Sequence, residues 1–257
     1  MKIKLVTLLL IGALWSLFFS GCYKPPALDD MQPKEMYHHL RALYEKGRYI
    51  EASDGFNYFT LNYSGHALVD SSQYFIAQSH FNMKEYLISV DAFEELVRRF
   101  PNSQIVAESM FMIGRCYWEI SPKYSLDQEY TIDAIEALQS FIDYFPDHRE
   151  MALEAQSYIG KCRNKLARKH YSNGVIYLKM KQYAAASIYF RGVLDQYYDT
   201  EWAADATYRL SQSLTGENKE EESREILIGF IQKYSNHEMI DKAKADLNIT
   251  VTGESQE

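Results

Sequence analysis

Two arginines set among regularly spaced aromatic rings are the residues of this chain best suited to chemistry. Tyr37, Arg41 and Tyr44 stand at steps of four and three. Tyr74, Gln78 and Phe81 repeat the spacing, and Phe111, Arg115 and Trp118 repeat it again. A guanidinium offers a planar fork that fits a carboxylate in bidentate fashion, and rings beside it suit an extended, aromatic-ended peptide with a terminal carboxylate. The chemistry implied is recognition of a peptide without bond making. Two plainer readings stand beside it: the rings pack between adjacent helices, and the arginines pair with neighbouring acids such as Glu45 and Glu119.

No catalytic constellation accompanies these residues. His38 and His39 are adjacent and face different directions on a helix, while His66, His80, His148, His170 and His237 have no metal-ligand spacing. Neither a glycine-rich phosphate loop nor a nucleophile elbow occurs. The acids Glu217, Glu220, Glu221 and Glu222 read as a solvated helix start, where negative charge is favourable. Cys116 and Cys162 occupy nearly equivalent positions in consecutive units. They could be bridged in an oxidising compartment or stand as two buried thiols. Neighbouring helix axes lie about 8–10 Å apart and a bridge needs Cα atoms within about 7 Å, so the thiols are favoured. An enzyme, a metal site and a cofactor are therefore not expected.

The elements that must position the aromatics follow from one pattern. In Asn82–Ser103, the residues Tyr86, Ser89, Phe93, Leu96 and Phe100 fall on one helical face. Pro101 stops the helix, because it lacks an amide donor and disfavours helical geometry before it. Tyr49, Ala52, Phe56, Phe59 and Tyr63 show the same order. So do Thr131, Ala134, Leu138, Phe141 and Phe145; then Tyr183, Ala186, Phe190, Val193 and Tyr197; then Ser223, Leu227, Phe230 and Tyr234. In the second to fifth repeats helix B follows a helix A carrying a small residue (Ala77, Gly114, Gly174, Ser211) where the two must approach closely. Two helices per unit at a period of roughly 34 to 40 residues mark a helical repeat array. The fold expected is all-α, a right-handed superhelical solenoid of five tetratricopeptide-like helix pairs. In each A helix the residue three before the small position is expected to face the concave surface: Tyr37, Tyr74, Phe111, Tyr171 and Tyr208.

Two irregularities interrupt the period. Ile120–Glu129 reads as an insertion between helices A and B of the third repeat, and loops of this length in a compact array are often functional. The wide gap between Phe145 and Tyr197 fits one long helix, from about Glu150 to Lys179, joining repeats three and four. The polar tail, residues 251–257, is expected to be disordered. The net charge of −8 excludes a nucleic-acid surface, since no basic run interleaved with aromatics offsets it.

Lys2 and Lys4 precede an apolar run from Leu5 to Phe19, followed by Ser20-Gly21-Cys22. That order marks residues 1–21 as an export signal, with an uncleaved anchor as the alternative. Cysteine after Ser-Gly resembles the bacterial lipoprotein signal, although Phe19 stands where that signal prefers Leu. The resemblance implies a diacylglycerol and an acyl chain on Cys22, which becomes the mature N-terminus. Tyr23, rather than Asp, after the cysteine points to the outer membrane. Residues 22–33, with Pro25, Pro26 and Pro33, read as a flexible tether.

Several segments together resemble the BamD family, tetratricopeptide-repeat lipoproteins of the β-barrel assembly machinery. They are Ser121-Pro122-Lys123-Tyr124-Ser125-Leu126-Asp127-Gln128 in the insertion, Arg163-Asn164-Lys165-Leu166-Ala167 in the long helix, and Gly192 through Thr200 in the fourth repeat. The resemblance spans roughly residues 20–245. It implies a non-enzymatic subunit on the periplasmic side of the outer membrane. An N-terminal half (residues 34–147) would receive the C-terminal strand of unfolded barrel proteins, through a groove of Tyr37, Arg41, Tyr44, Tyr74, Phe81, Phe111, Arg115 and Trp118. A C-terminal half (residues 148–250) would contact the periplasmic domains of the central barrel subunit, with Tyr189, Arg191, Tyr197 and Tyr198 as candidates; ordinary solvated or core positions are the plainer reading for each. A scaffold for pilus assembly or cell-envelope coordination is the rival reading. It would share the export signal and repeats but need not carry the insertion.

Overall fold

The computed structural model describes residues 28–253. The expected export signal, Cys22 and the first half of the tether lie outside those residues. Eleven α-helices follow one another in the described part: α1 (Pro33–Glu45), α2 (Tyr49–Asn62), α3 (Val69–Asn82), α4 (Tyr86–Arg99), α5 (Val106–Ile120), α6 (Glu129–Tyr144), α7 (Arg149–Lys179), α8 (Tyr183–Gln196), α9 (Trp202–Gly216), α10 (Glu220–Lys233) and α11 (Ile240–Gly253). Each packs on the next. α1 also touches α3, α5 touches α7, and α7 touches α9. The odd-numbered helices are therefore the A helices, and they line the inner side of an all-α solenoid of five helix pairs. α11 stacks on α10 at its end. Among the described residues, no helix is long and apolar enough to cross a membrane.

The repeated B-helix pattern is the core. Its small residue (Ala52, Ser89, Ala134, Ala186, Ser223) and the residues four and seven further on are all at most 2% exposed, in all five repeats. Gly114 shows how close the A helix comes: a β-carbon there would lie 2.5 Å from Leu138 Cγ. Where the small B residue is serine, its buried hydroxyl serves the contact. Ser89 Oγ donates to the Ala77 carbonyl and Ser223 Oγ to the Ser211 carbonyl, each at 2.9 Å. A buried hydroxyl left without a partner would cost about 1–3 kcal/mol.

Four of the five A-to-B turns share one device. Gly47, Lys84, Lys181 and Asn218 take the left-handed conformation, with φ between 58° and 75°. The next amide reaches back five residues, as from Arg48 to Leu43 and from Gln182 to Tyr177, both at 3.0 Å. This is the Schellman closure that satisfies the last carbonyls of a helix. The third repeat replaces it with the inserted loop, residues 121–128. The B-to-A turns are also uniform. The closing aromatics Tyr63, Phe100, Phe145, Tyr197 and Tyr234 each accept from the amide three residues on. Three of the histidines that look scattered in sequence occupy that third position. His66, His148 and His237 set their rings edge-on to Phe59, Phe145 and Phe230 at 5.5–5.8 Å.

Two expectations about the ends need correction. The tether is not free up to residue 33. Leu28–Asp30 forms a 3₁₀ turn, Met31 is buried in the first core cluster, and Tyr58 Oη donates to Asp29. An apolar residue beside a helix start seeks the nearest core, and proline at the first turn of α1 lacks an amide the helix would leave unpaired in any case. At the other end α11 runs to Gly253, so residues 251–253 are helical rather than disordered. The long helix is as expected: α7 has 31 residues. Its first half places Ala155 in the core of repeats two and three, and its second half places Ala167 in the core of repeat four.

Candidate functional site

The A-helix aromatics fall into two rows with different fates. Tyr37 is 7% exposed and sits edge-on to Phe56 at 5.8 Å. Phe111 is 5% exposed and meets Phe141 at 5.6 Å. Both are core residues and present nothing to a groove, which corrects the expectation for them; Tyr208 is buried in the same way. The reason is helical geometry. A residue three before the small position shares its face, and that face packs on helix B. Tyr171 lies half-buried against Phe190 and Trp202. Tyr74 is half-buried and ties neighbouring A helices together. Its hydroxyl donates to Glu108 of α5 and accepts from Gln78. Burial, followed by that carboxylate, pushes the Tyr74 phenol far above its ordinary range.

The second row reaches the surface. Tyr44, Phe81 and Trp118 are half-buried at the ends of α1, α3 and α5. Tyr44 and Phe81 lean on the first residue of the following B helix, Tyr49 at 5.4 Å and Tyr86 at 5.3 Å. Trp118 lies 5.8 Å from Tyr158 of α7. Tyr44 Oη accepts from Asn82 of α3 at 2.9 Å. Burial is the larger influence on that phenol and raises its pKa.

Both arginines already hold acids. Arg41 donates to Glu45 at 2.9 Å and lies over the Phe75 ring at 4.5 Å. Arg115 donates to Glu154 of α7 at 3.2 Å, has Glu119 at 3.9 Å, and lies 4.7 Å over Tyr158. Pairing within this surface was one of the readings open from sequence, and it holds. Phe75, Tyr158 and Glu154 belong to the surface but escaped the sequence reading. Tyr158 and Glu154 sit on the first half of α7, which takes the place of an A helix without the spacing of one.

The C-terminal candidates divide into two places. Tyr189 stacks on Tyr177 at 5.2 Å, and both Tyr189 and Tyr197 meet the half-buried His170. Burial lowers the pKa of His170, with the Lys169 charge acting in the same direction. Arg191 reaches across to pair with Glu222 of α10. Tyr198 is 65% exposed and lines a groove of about 260 Å³ with Leu194, Thr207 and Ile226. Arg163 stands nearby as a clamp, donating to both carboxylate oxygens of Asp199 and to the Gln196 carbonyl. The Arg163 bond holds the Asp199 carboxyl below its usual range. Cys116 and Cys162 are both buried free thiols, pushed up to about 11 by burial.

Comparison with known proteins gives a consistent pattern. A family model described as YfiO, outer membrane lipoprotein, matches residues 29–227. Outer membrane protein assembly factor BamD of Rickettsia prowazekii is 26% identical over 211 residues, 81% of this chain and 82% of that one. The protein of the same name from Caulobacter vibrioides is 24% identical over 210 residues, 80% of this chain and 68% of that one. Among solved structures, a thermophilic TPR protein of Thermus thermophilus shares 14% identity and a TM-score of 0.37, covering 84% of this chain and 99% of that one.

Proposed function

The chain belongs to the YfiO family of outer membrane lipoproteins, and from that membership we propose that it is an assembly factor for outer membrane proteins. The observation that carries the proposal is the family match over most of the described solenoid, joined by relatives named BamD across four-fifths of the chain. In this reading Cys22 carries a diacylglycerol and an acyl chain that hold the solenoid at the periplasmic face of the outer membrane. The protein acts as a scaffold of the β-barrel assembly complex rather than as a catalyst. It receives unfolded barrel proteins on its N-terminal half and docks on the central barrel subunit through its C-terminal half.

The surface suits the first of these tasks once it is narrowed. Tyr37 and Phe111 belong to the core and the Tyr74 hydroxyl is engaged by Glu108 and Gln78, which leaves Arg41, Tyr44, Phe81, Arg115 and Trp118 on the inner side. The Arg41–Glu45 pair is exposed, at 40% and 61% for the two side chains. Such a pair contributes about 0–1 kcal/mol, so an incoming carboxylate displaces Glu45 at little cost. Tyr44, Phe81 and Trp118 then offer ring faces at successive repeats for the apolar side chains of an extended strand.

The test is binding of a labelled peptide corresponding to the C-terminal strand of an outer-membrane barrel. Replacing Phe81 and Trp118 by alanine is expected to weaken it at least about tenfold, as for aromatic anchors elsewhere. An unchanged affinity with unchanged helical content would place client recognition outside this groove. Proteins co-purified from mild-detergent outer-membrane extracts test the broader reading: a large barrel protein with periplasmic repeat domains is expected in near-equal amount.

A further inference from the structure

The inserted loop of the third repeat is folded against α7 rather than left free. Gln128 is buried, and its amide nitrogen donates to the carbonyls of Lys123, Leu126 and Asp127 at 2.9–3.1 Å. From α7, Lys165 Nζ donates to Ser121 Oγ at 2.6 Å and Lys169 Nζ to the Leu126 carbonyl at 2.8 Å. Loop, α7 and the start of α9 enclose an open pocket of about 630 Å³. Its lining includes Lys123, Lys161, Lys165 and Arg168, with the rings of Tyr124 and Trp202.

What distinguishes this pocket is the gathering of four cations, since among the described residues Lys219 is the one lysine held in an ion pair. Arg41, Arg48, Arg98, Arg99, Arg115, Arg163 and Arg191 are each paired with a carboxylate. Among the described residues, none of the four pocket cations has a carboxylate within ion-pairing distance. Lys161, Lys165 and Arg168 rest instead on neutral groups and rings. Lys165 Nζ is 4.4 Å over Trp118, and Arg168 is 4.1 Å over Tyr124 and 5.5 Å over Trp202. Glu201, the acid in the lining, accepts from Asn164. In a chain of net charge −8, four such cations around one recess form a concentrated positive field, which focuses attraction on an anion.

Spacing narrows the ligand. Lys161, Lys165 and Arg168 fall on one face of α7, rising about 6 Å over the four residues to Lys165 and about 4.5 Å over the three residues to Arg168. Alternate side chains of an extended strand rise by about 6.7 Å. The first interval is close to that rise, and the long flexible stems of Lys and Arg take up the difference at the second, so the row can meet carboxylates on one face of an extended chain. A flat membrane surface does not enter a recess between a loop and two helices, and the net charge repels a nucleic acid. We propose that this pocket binds an acidic polypeptide segment in extended conformation, its alternate carboxylates facing Lys161, Lys165 and Arg168 and an apolar side chain against Trp202.

The proposal goes beyond the function given above, and either can fail without the other. The experiment uses the full chain in detergent and fluorescence anisotropy of a labelled decapeptide with Asp at alternate positions and one Phe. Expected are saturable binding that weakens with salt, a loss of at least tenfold when Asn replaces Asp, and a similar loss in the double variant Lys161→Gln, Arg168→Gln. Lys161 and Arg168 are exposed and make no hydrogen bond to the loop, so an unchanged circular dichroism spectrum is expected. Tyr44→Ala, at the far end of the client groove, is expected to leave decapeptide binding intact. Equal binding of the Asp and Asn peptides, or full binding by the double variant, overturns the proposal. Saturable binding of inorganic phosphate or of phosphatidylglycerol vesicles, lost in the same variant while the peptide does not bind, overturns the assignment to a polypeptide.

Discussion

At the scale of single residues, the small positions decide what the helices tolerate. A β-carbon at Gly114 would meet Leu138 at 2.5 and 2.7 Å in a region with no slack. Overpacking of this kind costs about 1–3 kcal/mol, against about 1 kcal/mol gained in helix propensity. Gly114→Ala is expected to lower stability in urea unfolding. Gly160, exposed on α7, has nothing within 4 Å of such a β-carbon. Gly160→Ala should therefore raise stability by about 0.5–1 kcal/mol. If both changes act in the same direction, the close-approach account is wrong. His170 gives a pH signature. Burial keeps its folded pKa below the unfolded value, so the unfolded chain takes up its proton first. Its share of stability is complete above about pH 6.5 and is lost as pH falls from there towards the folded pKa. His170→Asn is expected to flatten the urea midpoint against pH between 7 and 5.5, compared with the unaltered chain. Residue identity was readable from sequence where periodicity alone set burial, as for Phe93 and Phe190. It misled for Tyr37 and Phe111, because seven-residue spacing does not say which of two rows faces helix B.

At the scale of elements, boundaries were legible wherever a closing aromatic or a proline marked them. The 31 residues of α7 were legible from the gap they fill. What periodicity could not reveal was the docking of Leu28–Met31 and the folding of the insertion, since both depend on single contacts between distant parts of the chain. Gln128 is the clearest case: one buried amide group organises three loop carbonyls. Gln128→Ala leaves those carbonyls without that donor, at a local cost of about 1–3 kcal/mol. Faster amide hydrogen exchange confined to residues 121–128, with the helices unaffected, is the expected result. Exchange unchanged in the loop would mean that Lys165 and Lys169 hold it without Gln128.

At the scale of the whole molecule, each helix pair rests mainly on its neighbours, so stability should vary along the array. Phe230 is fully buried between α10, the turn at His237 and Tyr208. Phe230→Ala should cost about 3–5 kcal/mol. Hydrogen exchange is expected to show the loss in α9–α11 and to spare α1–α4; uniform loss across the chain would mean a single cooperative unit. The exception to neighbour-only packing is α7. At about 1.5 Å per residue it is a rod of roughly 46 Å, shared between the third and fourth repeats. A stacked spiral yields like a spring, its give lying in the joints between repeats. One rod running through two repeats removes a joint from the middle, so stretching or twisting is taken up towards the ends. The loop, the cationic pocket and the Arg115–Glu154 contact all ride on that stiff segment, and their spacing holds while both arms of the spring flex.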